Sequence, residues 1–338
     1  MAFDLALDQS QEAVADVFGR FFDQECPPAV VREAEPLGFS APLWAKCCEL
    51  GAPGIGVAEA DGGGGASMVD LGIVAGAAGR VLAPVPFVDH VVASRVWPDP
   101  AVVEGTAVAA LALRPAVFGI WRLVPAGAVA DVVVGLDGDD LVAVRNVAPG
   151  AGPRNHADMP IADRPTTGHR VVVGDRGTFD RCLVEWKVLQ AAQLAGLSSR
   201  ALEIVTEYVK DRSQFGRPVG GFQAVQHGLA DCVGPVEGSR LLAAKAAWAL
   251  DEGLQGALDF AHNDVDDPAA LAAMAFAFAA ETAAFTTKKA VQYHGSYGVS
   301  LEYDIQLYFR RARGWPLVLG DPAHQHRELA DLLWPAGA

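Results

Sequence analysis

Residues 208–231 read Tyr208-Val209-Lys210-Asp211-Arg212-Ser213-Gln214-Phe215-Gly216-Arg217-Pro218-Val219-Gly220-Gly221-Phe222-Gln223-Ala224-Val225-Gln226-His227-Gly228-Leu229-Ala230-Asp231. Upstream, Val188 to Lys210 runs without a proline. Downstream, Phe222 to Asp251 continues in helical composition, with glycines and Pro235 near its middle suggesting a bend. Gly216, Pro218, Gly220 and Gly221 punctuate the short loop between them. Two long helices joined by so short a turn lie antiparallel. Pro268 to Tyr293 is a third long helix, and Glu302 to Arg313 and Gln325 to Leu333 complete the set. The expectation is a C-terminal bundle of long helices over 183–338.

At the other end of the chain, residues 1–108 read as a helical zone of shorter elements. Val14, Val17, Phe18, Phe21 and Phe22 form one apolar face between Gln9 and Phe22. Leu43 to Leu50 closes on Gly51, and Val69 to Val81 resumes helix after the glycines at 62–65. Residues 109–182 change period. Ala130 to Leu136 and Leu141 to Val144 flank a Gly/Asp cluster and predict a hairpin. Val171-Val172-Val173 and Cys182-Leu183-Val184 predict further strands, and Pro149, Pro153, Pro160 and Pro165 mark turns and edges. The predicted fold is mainly α with a small antiparallel β domain between two helical ones.

The 338 residues, 51% hydrophobic and 20% charged, exclude an extensively disordered chain. With 26 Lys plus Arg against 41 Asp plus Glu, the net charge is −15, which argues against nucleic-acid binding as the main role. Five scattered cysteines without a CxxC pair read as reduced thiols of a cytoplasmic protein. The N-terminus lacks a signal-peptide pattern, and no spanning helix is expected. Gly54-Ile55-Gly56 lacks the third glycine of a dinucleotide fingerprint, and Gly62 to Gly65 lacks the Lys-Ser/Thr of a P-loop. His324 with His326, and Asp259 with His262, fall short of a metal ligand set. His227 and His294 read as ordinary buried or half-buried imidazoles.

The 208–231 stretch resembles the acyl-CoA dehydrogenase family, in which Tyr, an acid-Arg pair and Gln-Phe-Gly precede Phe-Gln and Leu-Ala. A second match is Gln292-Tyr293-His294-Gly295-Ser296-Tyr297-Gly298, followed by Glu302-Tyr303 and Arg310-Arg311-Ala312-Arg313. A weaker one is Leu43-Trp44, Leu50-Gly51 and Pro53-Gly54. The resemblance implies FAD as cofactor and α,β-desaturation of an acyl-CoA. It also implies that Arg212 reaches the diphosphate of an FAD shared at a subunit interface, with Gln214, Phe215, Phe222 and Gln223 beside its adenosine end. Gln292, Gly295 and Gly298 approach the same phosphates. An Arg offers fixed N–H donors suited to a diphosphate, and glycine permits close backbone approach.

The departures from the family are equally specific. Its reaction needs a carboxylate to take the α-proton while the β-hydride moves to the flavin. Registered from Arg310, the usual base position holds Leu319; the alternative position, on the first long helix, holds Trp186 with Glu185 beside it. Glu302 reads as a partner for the arginines after it. The flavin-cradling loop expected near Ala107 to Ala126 is absent, with Leu113-Arg114-Pro115-Ala116-Val117-Phe118-Gly119 in its stead.

The resemblance therefore narrows to actinobacterial heterotetramers that act on steroid side-chain CoA thioesters. There one subunit supplies base and cradle, and the other supplies the Arg/Gln arm. This chain looks like the second kind, with a paralogous partner carrying the Glu and an electron-transfer acceptor that reoxidises the flavin. The alternatives are a self-sufficient homo-oligomer using Glu185 as base, and a flavin-free scaffold or binding protein of the same fold.

Overall fold

The computed structural model describes residues 6–253, 258–259, 264–265 and 267–334. The N-terminal helices are α1 (Gln9–Glu25), α2 (Pro28–Glu33), α3 (Ala41–Glu49), α4 (Met68–Arg80), α5 (Phe87–Val96) and α6 (Pro100–Val103). Their starts are written in polar caps: Asp8 with Gln11, and Ser67 with Asp70, each close a reciprocal capping box. Phe18 and Phe22 turn inward, as the apolar face of α1 requires.

The middle sheet holds β1 (Ala109–Leu111), β3 (Val132–Asp137), β4 (Asp140–Arg145) and β6 (His169–Asp175), in the order β1-β3-β4-β6. A separate pair joins β2 (Ile120–Val124) to β5 (Ala162–Pro165). The expected hairpin is β3–β4, closed at Asp137↔Asp140 by Gly138 at φ 68°. The sheet is not wholly antiparallel, since β1 runs parallel to β3. Three residues of β1 carry no pattern that reveals strand direction.

The C-terminal half holds α7 (Arg176–Asp211), α8 (Gln223–Asp251), α9 (Pro268–His294), α10 (Ile305–Gly314) and α11 (Pro322–Leu333). A two-residue ladder, β7 (Ser213–Gln214) with β8 (Arg217–Pro218), joins α7 to α8. Pro235 lies inside α8 without ending it. The strand expected at Cys182-Leu183-Val184 is instead the second and third turns of α7. The Asp175 carboxylate caps the helix by accepting from the Thr178 N–H at 2.9 Å, and Phe179, Cys182 and Trp186 then share one buried stripe. A three-residue apolar run is too short to distinguish the two periods.

The central element is α7, which packs on α4 along one side and on α8 and α9 along others. Its crossing with α4 is close because of glycine. A Cβ at Gly196 would lie 2.0 Å from the Gly76 carbonyl oxygen, and one at Gly79 would lie 2.0 Å from that of Gln193. The stretch 268–299 is long and apolar enough to cross a membrane by length and composition alone, as the core helix of a bundle also is. Its most apolar window is 67% buried, with Leu271, Phe276 and Ala283 packed in the bundle. All five cysteines are free thiols.

Candidate functional site

Two regions carry the motif residues and the base positions. The first is the turn between α7 and α8. The helix ends where Arg212 adopts extended backbone (φ −71°, ψ 118°), and the Val219 N–H then donates to the Arg212 carbonyl at 2.7 Å. Phe215 at φ 54° and Gly216 at φ 77° make the tip. Phe215 is 93% exposed and meets Phe222 edge-on at 6.3 Å, while the Arg217 guanidinium lies 3.9 Å over the Phe222 ring. Gln214, Gln223 and Gln292 are exposed; Gln214 donates only to its neighbour Ser213.

The 292–298 motif folds against this turn. Gly295 caps α9 at φ 65°, and Gly298 is buried so tightly that a Cβ would lie 2.5 Å from the Val291 carbonyl oxygen. That segment presents Tyr297, and the Arg212 guanidinium sits 5.3 Å over its ring. Among the described residues Arg212 has no carboxylate partner. His294 is buried and stacks on Tyr208 at 4.0 Å, with its Nδ1 2.8 Å from the Ala290 carbonyl; burial lowers its pKa. His227, expected buried or half-buried, is exposed. His326 bonds Glu281 at 2.7 Å, while His262 and the Asp259 side chain lie outside the described residues.

The second region is the junction of α5, α7 and α10 beneath the sheet loops. Trp186 is buried there, and its indole N–H donates to Asp89 Oδ1 at 2.8 Å. Burial outweighs that bond and pushes the Asp89 carboxyl up to about 6. Consecutive helix residues point about 100° apart, so Glu185 faces elsewhere. It accepts from Arg95 Nε at 3.0 Å and Nη2 at 3.3 Å, beside an open cleft lined by Asp61, Thr178 and Arg181. It is neither exposed nor in the first turn of its helix. Leu319 is half-buried on the turn after α10.

The junction is nearly full. Its cavity, lined by Leu82, Asp89, Ala126, Asp158, Gln190 and Arg311 among others, measures about 60 Å³. Ligand sites run to roughly 300 Å³ and more. Neighbouring contacts hold it rigid. His90 Nδ1 accepts from the Ala109 N–H, so its Nε2 donates to the Val102 carbonyl; burial lowers its pKa to about 4 and keeps it neutral. Arg310 and Arg311 are met by Glu35, at 2.5 and 3.1 Å, and Arg310 also by Asp158. These carboxylates, and not Glu302, are the partners of the arginine pair. Asp89 is inconspicuous in sequence, because an Asp in a first helical turn already has a role, favouring the helix dipole.

A helical domain, a small sheet and a long-helix bundle, with an arginine-bearing turn after the first long helix, make up the scaffold. The acyl-CoA dehydrogenase N-terminal domain matches residues 8–104, and the acyl-CoA dehydrogenase C-terminal domain matches residues 179–332. Acyl-CoA dehydrogenase IpdE2 of Mycolicibacterium smegmatis is 30% identical over 336 residues, covering 96% of this chain and 98% of that one. The chain belongs to the acyl-CoA dehydrogenase family. Among solved structures, the ChsE4-ChsE5 complex from Mycobacterium tuberculosis has a chain with TM-score 0.85 and 24% identity, covering 99% of this chain and 100% of that one. The Tcur3481-Tcur3483 steroid ACAD gives TM-score 0.82 at 24% identity, with 96% and 98% covered. These structural likenesses establish the fold.

Members of the family bind FAD, and the two regions differ in how they fit it. The turn offers an uncompensated Arg212 and an exposed aromatic edge at Phe215, both suited to a diphosphate and an adenine from outside the chain. The junction's cavity, about 60 Å³, is far below the roughly 300 Å³ at which ligand sites begin.

Proposed function

We propose that this chain is the arm-bearing subunit of a two-subunit FAD-dependent acyl-CoA dehydrogenase, in which a paralogous partner carries the base and the flavin cradle. The observation that carries this reading is that neither of the positions where the family carries its base holds a carboxylate here. Leu319 and Trp186 stand at the family's two base positions, and Glu185 is engaged by Arg95. FAD supplies the hydride acceptor when bound. Arg212 would hold the diphosphate, with Gln214, Phe215, Phe222 and Gln223 along the adenosine side and Gln292, Gly295 and Gly298 lining the same approach. The substrate class is an acyl-CoA, and the likeness to a steroid ACAD and to IpdE2 favours a steroid-derived CoA thioester.

The test is co-expression with a paralogue that retains the Glu and the cradle. A yellow complex with one FAD per pair of chains, active only when both are present, is the expected result. A yellow and active protein from this chain alone would favour the self-sufficient enzyme. Loss of flavin in neither Arg212→Ala nor Arg212→Glu complexes would count against the shared site.

A further inference from the structure

Arg212 is held differently from the other arginines at its depth in the protein, and the side chain that holds it is not among those that would line the flavin. Six arginines among the described residues are half-buried. Arg32, Arg80, Arg95, Arg200 and Arg310 each have a carboxylate oxygen within 3.0 Å. Arg212, the sixth, has neither a carboxylate nor a side-chain hydrogen bond among the described residues, and its guanidinium lies 5.3 Å over the Tyr297 ring. An ion pair would neutralise the guanidinium and occupy its N–H donors. A ring face attracts it through the quadrupole and does neither.

Tyr297 is in turn supported by other rings. It packs on Tyr303 at 5.0 Å, and Tyr303 stands edge-on to Tyr208 at 6.2 Å and to His294 at 6.3 Å. Tyr208 and His294 stack at 4.0 Å. The Tyr208 carbonyl accepts from the Arg212 N–H at 2.9 Å, so the cluster ties the last turn of α7 to the end of α9. It contains no carboxylate. Burial lowers the His294 pKa, which keeps that ring neutral at pH 7 and spares the guanidinium a repelling neighbour.

The result is a guanidinium held in place with its charge and its N–H donors unspent, the state in which it can form charge-assisted bonds to a phosphate. An arginine already paired to a carboxylate would have to break that pair first. We propose that Tyr297 is a positioning residue for the Arg212 arm, its ring face holding the guanidinium without neutralising it, a role that rests on the shared flavin of the preceding proposal.

The test is flavin retention by the co-expressed complex, read from absorbance after dialysis. Tyr297→Leu should lower retention about three- to tenfold, the size of a cation–π contact, while Tyr297→Phe, which keeps the ring face, should stay within about twofold. Tyr297→Met stands in if the leucine variant does not fold. In an Arg212→Ala background Tyr297→Leu should change nothing further, because its effect runs through the arginine. An additional loss there would overturn the inference. In the chain alone, the Tyr297 ring current should shift the Arg212 side-chain protons upfield, and Tyr297→Leu should abolish that shift; protons that do not respond would also overturn it. Flavin lost by Arg212→Ala but kept by Tyr297→Leu would overturn this inference alone, whereas flavin kept by both would sink the shared site with it.

Discussion

The outer turn and the inner junction are built from the same helix and behave as opposites. At its C-terminal end α7 releases Arg212 into a turn whose tip, Phe215, is 93% exposed, and among the described residues the Arg212 guanidinium has no carboxylate partner. About seven turns earlier the same helix buries Trp186 against Asp89 and closes a space of about 60 Å³. One end is open, the other closes around a small cavity. The family's scaffold has been kept.

The strongest test of this contrast is at the filled end. Trp186→Ala removes a fully buried indole and should cost about 3–5 kcal/mol in denaturant unfolding. A loss below about 1 kcal/mol would mean the junction is not tightly packed.

Next is Asp89→Asn, whose effect depends on pH. The Asp89 pKa is raised from 3.8 to about 6 in the folded chain, so the folded state binds the proton more tightly than the unfolded one. Stability from this group therefore falls as pH rises from about 4 to about 6, then stays flat. Asn removes the penalty and can still accept from Trp186. Stabilisation on the order of 2–3 kcal/mol is expected at pH 7, vanishing below about pH 4. A variant equally stable or less stable than the wild type at pH 7 would refute the buried charge.

At the open end, Arg212→Ala should lower FAD retention by the co-expressed complex by about 10- to 100-fold, since a charge-assisted contact is worth roughly 1.5–3 kcal/mol. The thermal stability of the chain alone should stay unchanged, because this guanidinium rests on the Tyr297 ring and not on a carboxylate. Equal losses in both measurements would make Arg212 a structural residue. The mildest change is expected for Glu185→Gln. Turnover of the complex should remain within about twofold, while stability drops by about 1 kcal/mol as Arg95 loses its charged partner. A collapse of kcat would return the base to this chain and dissolve the contrast.

Legibility from sequence follows the range of the interactions. The hairpin at Gly138, the capped α4 and the long helices after residue 188 are local patterns, and they lie within a few residues of where the sequence predicts them. The first turns of α7 do not, because Cys182-Leu183-Val184 is apolar and β-branched in part, and only the Asp175 cap and the bundle fix its period. The direction of β1 is equally hidden. At the site, Arg212 and the 292–298 turn are legible as motifs, whereas Asp89 is not, since its significance lies in the indole of Trp186, 97 residues away. The arginine pair is visible beside the neighbouring Glu302, yet its true partner Glu35 lies 275 residues before Arg310.

Residue type and spacing along single segments were enough to specify the class of fold and the position of the arginine-bearing turn. Three facts came from the assembled fold: Trp186 fills the junction, Glu185 is spent on Arg95, and Gln190 and Asp89 line one small cavity. They arise from helices brought together by burial, and no periodicity within a single helix records which neighbour its buried face will meet.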